Sequence, residues 1–186
     1  MNTNAHSPAP GHRGRLDRLL GLFSEVHPGE GARALLMLVN VFLILVSYYV
    51  IKTVREPLIL GTEVPQFLQA LGIKGAAEVK TFAAAGQAIV LMAFVPAYSW
   101  FASRVDRMKL IVGVTLFFAA NILAFAVAVH AGVPFIGVAF YVWVGFFSLS
   151  IIAQFWSYAN DIYTKDAGNR LFPIIGIGAT AGSPVG

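Results

Sequence analysis

Between Arg33 and Lys52 the chain carries no lysine, arginine, aspartate, glutamate or histidine. A helix over residues 32–51 rises about 1.5 Å per residue and so covers the ~30 Å hydrocarbon core of a bilayer. No other feature constrains the fold as strongly. In lipid, every backbone N–H and C=O must be satisfied within the protein, and a single apolar segment does that by coiling into a helix. Further apolar runs cover residues 81–101, 110–129 and 134–158, and another begins near Leu171 and reaches Gly186. That last run falls short of the ~17 residues a crossing takes. The expected fold is therefore all-α: a polytopic transmembrane bundle over residues 32–186, with four complete helices and an incomplete fifth. Composition agrees. Of 186 residues, 58% are hydrophobic and 12% charged, whereas a soluble domain carries about 25% charged residues. The short last run makes this the expected N-terminal part of a larger membrane protein. The missing C-terminal half would then be a packing partner, and the part alone is expected to be inactive.

Residues 1–13, polar and containing Pro8 and Pro10, read as a disordered cytoplasmic tail. In Gly14–Val26, Leu16, Leu19, Leu20, Phe23 and Val26 recur at helical spacing, with Arg15, Asp17, Arg18 and Glu25 largely elsewhere. This predicts an amphipathic helix over 14–26 that lies on the membrane surface or caps the inner end of the bundle. Orientation follows from lysines and arginines in short loops. Arg13, Arg15 and Arg18, then Arg104, Arg107 and Lys109, then Lys165 and Arg170 fall on alternate sides from the uncharged loop at 130–133. The N-terminus is accordingly expected in the cytoplasm. Lys52, Arg55, Lys74 and Lys80 then lie on the opposite side, against the bias, with Glu56, Glu63 and Glu78 offsetting some of that charge.

The net charge of +4 is explained by this topology without a nucleic-acid partner. The absence of cysteine excludes a disulfide scaffold, a thiolate metal site and a cysteine nucleophile. His6, His12, His27 and His130 have no metal-ligand spacing, and Gly176–Gly182 lacks the Gly-Lys-Ser/Thr of a phosphate loop. No enzyme, metal or cofactor site is expected.

The residues left to carry chemistry are few. Lys52, Arg55 and Glu56 stand at i, i+3 and i+4 and share a helix face. Pro57 is expected to end that helix at Glu56. A lysine and an arginine at the mouth of a bundle suit a phosphate or carboxylate. They equally suit cations snorkelling to headgroups. A Lys52–Glu56 pair is a candidate gate that an arriving anion opens. On the fourth run Ser150, Gln154, Ser157 and Asp161 form a polar stripe, which either lines a water-filled route or bonds helices together. Gln87 and Asn121 are isolated amides in apolar runs and need partners. Gln87 follows Lys80 by seven residues, so both can face one way. The loop 103–109 holds Arg104, Asp106 and Arg107 and reads as a gating lock between helices or as a solvated loop. Gly178, Gly182 and Gly186, four apart, are expected to let two helix backbones approach closely.

Two of these stretches carry a family resemblance. Phe155–Ala179, FWSYANDIYTKDAGNRLFPIIGIGA, and Ser47–Leu60, SYYVIKTVREPLIL, resemble segments of the ATP/ADP translocases of plastids and obligate intracellular bacteria, which are related to the major facilitator superfamily. The resemblance implies a bacterial inner-membrane carrier with twelve helices in two halves, a central cavity and alternating access. It implies exchange of an anionic small molecule, a nucleotide first of all. Lys52 and Arg55 fall where those exchangers have an Arg and a substrate-linked Lys, and Glu56 matches an acid. Lys52, Arg55, Glu56, Gln87, Gln154 and Asp161 are the expected substrate contacts. The exchangers also place an acid in helix four, whereas Phe140–Tyr158 contains no carboxylate. Two other readings stand beside this one: a carrier of an unrelated solute, and a non-transporting membrane scaffold.

Overall fold

The computed structural model describes residues 14–64, 66–70 and 72–186. The expected tail over 1–13 lies outside them. Seven helices follow in order: α1 (Arg15–Leu20), α2 (Gly31–Leu60), α3 (Gln66–Ala70), α4 (Ala76–Ala102), α5 (Arg107–His130), α6 (Ile136–Ile162) and α7 (Lys165–Val185). There is no strand among the described residues. Four helices, α2, α4, α5 and α6, are long and apolar enough to cross a membrane. The all-helical membrane architecture is thus as expected. α7 is not among the four.

The ends of the elements differ from expectation for local reasons. α1 stops at Leu20, and turns replace the helix expected to run on to Val26. α2 does not end before Pro57 but continues to Leu60 with the proline inside it. Proline removes one N–H and crowds the preceding turn. Beyond it the ladder resumes, with Gly61 N donating to the Pro57 carbonyl at 2.9 Å. α4 begins at Ala76, five residues before the apolar run. α3 occupies a connection in which no helix was expected. α7 starts at Lys165 rather than Leu171, because Thr164 caps it by accepting from Ala167 N at 3.3 Å.

The chain divides into two compact units: residues up to Ser47 with Phe155–Gly186, and Tyr48–Gln154. α2 and α6 each contribute to both. In the first unit Met37, Val41, Phe155, Ala159 and Ile175 form one core. Val26, Ala34, Leu171 and Ile174 form another. Here α7 packs tightly on α2. A Cβ on Gly178 would run into the Leu38 carbonyl, and one on Gly182 would come within 2.9 Å of Phe42 O and Leu45 Cβ. The glycine spacing read from the sequence therefore marks a close helix contact.

In the second unit α6 is the central element. Within its apolar window 44% is buried, against 6% for α4. Phe118 of α5 meets Trp143 and Phe147 of α6 edge-on, while Trp143 and Phe147 stack at 5.4 Å. Between helices in lipid, such shape-matched dispersion contacts replace the hydrophobic drive that water supplies elsewhere. Large apolar side chains such as Ile89 and Met92 of α4 and Leu116 and Leu123 of α5 face outward.

Candidate anion site

The second unit holds most of the polar residues singled out in the sequence. α2 has 30 residues, about 45 Å at 1.5 Å per residue, so its last turns extend beyond a ~30 Å core. Arg55 and Glu56 occupy those turns. The Arg55 guanidinium lies 4.4 Å from the centre of the Tyr141 ring on α6 and donates to its neighbour Glu56 at 3.1 Å. From α4, Lys80 Nζ donates to the other Glu56 oxygen at 2.5 Å. One carboxylate is thus shared by two cations, one from each helix. Arg55 Nε is buried without a hydrogen-bond partner among the described residues.

The expected Lys52–Glu56 pair does not form. Lys52 makes no ion pair among the described residues. Its ammonium sits instead 5.8 and 5.4 Å from the rings of Tyr48 and Tyr49. Glu56 is bonded by Lys80 of α4 instead. A lysine 24 positions away wins over the one four residues away.

Along α2, one turn beyond the cluster, a cavity of about 640 Å³ opens among Pro57, Thr62, Glu63, Val133 and Phe135. At its edge Gly137 of α6 lies so close to α2 that a Cβ would strike Leu58 O and Thr62 Oγ1. Deeper along α6, the Gln87 side chain lies against Gly145, in the space a Cβ there would fill. Its Oε1 is buried with no hydrogen-bond partner among the described residues, as are Trp143 Nε1 and Ser150 Oγ.

The polar stripe on α6 is divided between the two units. Ser150 is buried. Gln154 donates to the Tyr98 hydroxyl of α4 at 3.0 Å, bonding helix to helix. Ser157 and the exposed Asp161 belong to the first unit. In the loop before α5, Asp106 caps the helix by accepting from Met108 N and Lys109 N, Arg107 opens the helix, and Arg104 stacks on Trp100 at 4.0 Å. Asn121 bonds only its own helix, at Phe117 O.

Two constellations in the first unit were missed. Asp17, expected on the polar face of a surface helix, is buried. Its carboxylate accepts from the amides of Gly14, Gly29 and Gly31 at 2.9, 3.2 and 2.9 Å. Gly29 adopts φ +88°, a conformation that suits glycine alone at little cost. Asp17 thereby caps α2 from a distance. The available signal was the absence of Ser, Thr, Asp or Asn immediately before Gly31. The second is Arg170 of α7. It grips Glu30 through both terminal nitrogens, at 3.0 and 3.2 Å, and donates to Glu25 O at 2.8 Å. The Arg170 hydrogen bond holds the Glu30 carboxyl below its ordinary value of 4.5, and the same bond raises Arg170 further. Burial pushes the Tyr163 phenol up, and the nearby Glu30 charge adds to it.

Among the described residues these elements define an all-helical architecture with four helices long and apolar enough to cross a membrane and a shared-carboxylate cluster near the end of the first of them. Comparison of the chain with protein-family models, with curated proteins and with solved structures finds no match.

Proposed function

We propose that the protein is a membrane carrier of anionic small molecules, a nucleotide or another organic anion, working by exchange and alternating access. The observation that carries the reading is the charge balance at the end of α2. Arg55 and Lys80 share a single carboxylate, Glu56, while Lys52 stands one turn back over Tyr48 and Tyr49. Charges in or near a bilayer are costly unless paired and are found where a solute or ion passes. A ligand bringing negative charge balances the excess. The resemblance of the α2 and α6–α7 stretches to nucleotide exchangers supports the same solute class.

In this mechanism Glu56 holds Arg55 and Lys80 together while the site waits. An arriving phosphate or carboxylate takes over their N–H donors, with the flat Arg55 guanidinium, stacked on Tyr141, offering two of them side by side. The link between α2 and α4 is then made through the solute, which couples binding to helix movement.

Equilibrium binding to the purified full-length protein tests this. Labelled ADP and other organic anions are expected to bind saturably, with affinity falling as salt rises. Arg55→Ala is expected to weaken binding by at least tenfold, the ~1.4 kcal/mol lower end of what a charge-assisted hydrogen bond contributes. A folded protein that binds no anion in any salt would refute the reading and favour a scaffold.

A further inference from the structure

The chain from Arg15 to Phe23 presents an outward apolar surface that nothing in the first unit covers. Leu19, Leu22 and Phe23 are 61%, 79% and 67% exposed, and Leu16 is exposed beside them. Arg15 and Arg18 are exposed among these residues. The inner side of the same segment is firmly held. Asp17 is fixed by three backbone amides, Leu20 and Val26 pack with Ala34, Leu171 and Ile174, and Ser24 Oγ donates to the Arg170 carbonyl. A pinned segment with four large apolar side chains outward is therefore set in place by the fold.

We propose that this segment docks onto anionic lipid at the leaflet from which α2 enters the membrane. Two observations select that occupant. The segment leads directly into α2 at Gly31, so the start of a membrane span holds it at the level of the headgroups. The apolar side chains are also interleaved with two arginines and no exposed acid between Gly14 and Ser24, the pattern that combines insertion of apolar groups with attraction to negative headgroups. Leu22 and Phe23 enter the acyl boundary, and Arg15 and Arg18 pair with lipid phosphates. This is independent of the proposed transport of anions and concerns only the first unit.

The chain has no cysteine, so single cysteines report without background. Leu22→Cys, Phe23→Cys and, as a control, the exposed Glu25→Cys are labelled with an environment-sensitive fluorophore in the full chain. Each is reconstituted into vesicles of phosphatidylcholine with and without phosphatidylglycerol. Shallow spin-labelled lipid is expected to quench the labels at 22 and 23 strongly and the label at 25 weakly, and aqueous iodide to do the reverse. Omitting phosphatidylglycerol, or replacing Arg15 and Arg18 by glutamine, is expected to remove at least half of the lipid quenching. Three results each overturn the proposal. One is iodide access at Phe23 equal to that at Glu25. Another is shielding of Phe23 from both quenchers, which means that protein covers it. The third is lipid quenching indifferent to phosphatidylglycerol and to both arginines.

Discussion

Glu56 and Asp17 show how much a single carboxylate organises here, one by sharing itself between two cations and the other between three amides. Asp17→Ala leaves the amides of Gly14, Gly29 and Gly31 without that acceptor, two of them in a partly buried setting and one in a buried one. It is expected to destabilise the first unit by about 2 kcal/mol, read as a lower thermal midpoint in detergent. Glu30 and Arg170 give a prediction in pH. A carboxyl whose folded value is depressed stabilises the fold above its unfolded value and loses that contribution as pH falls through the folded value. The wild-type midpoint is therefore expected to exceed that of Glu30→Gln at pH 7, with the gap closing as pH drops below 4.5. A gap unchanged at pH 3 would contradict the ion pair. The residue types at the Glu56 cluster were legible in the sequence because Lys52, Arg55 and Glu56 obey a local helical spacing. Their pairing was not. The i, i+4 rule sees one helix only, and Lys80 arrives from another.

Among the elements, the four complete apolar spans were read with the right type, since a long run without charge leaves the backbone no alternative in lipid, whereas the incomplete fifth expected from Leu171 is not among the helices long and apolar enough to cross. Their ends were misread wherever a local signal met a tertiary one. Pro57 argued for a stop, but α2 keeps the rest of its ladder and runs on to Leu60. The amphipathic pattern over 14–26 mistook the buried Val26 and the exposed Phe23 for one face. The small-residue pattern in α7 was sound because close approach of backbones needs glycine whatever else surrounds it. Gly178→Ala pushes a methyl into the Leu38 carbonyl and is expected to cost about 1–3 kcal/mol. Gly176→Ala, with nothing within 4 Å of the new carbon, is expected to be neutral or to stabilise by up to about 1 kcal/mol through helix propensity. Thermal unfolding of the two variants side by side checks this. Equal losses would show that α7 does not pack on α2 through that face. In α6, Gly145→Ala displaces the Gln87 side chain and is expected to lower anion affinity more than it lowers stability if Gln87 touches the solute. Loss of stability alone would mark Gln87 as a packing residue.

At the scale of the whole molecule, the four helices that are long and apolar enough to cross a membrane among the described residues differ in what their faces carry. α4 and α5 turn large apolar side chains outward, while Arg55, Glu56, Lys80 and Gln87 lie on faces turned toward neighbouring helices. An anion carrier needs this arrangement, because its solute must find opposite charge where lipid offers none. The sequence conveyed the membrane class through composition and the candidate cations through their position against the topological bias. What it could not convey was which of them meet, since that depends on helix packing that local spacing does not encode. The most direct test of the account is counterflow. Proteoliposomes containing the full-length protein and loaded with unlabelled ADP or another organic anion are offered the labelled anion outside. The account predicts saturable accumulation above empty liposomes that is lost in both Arg55→Gln and Lys80→Gln while each variant remains folded. Accumulation that survives in both variants, or no accumulation of any anion by folded wild-type protein, would contradict it.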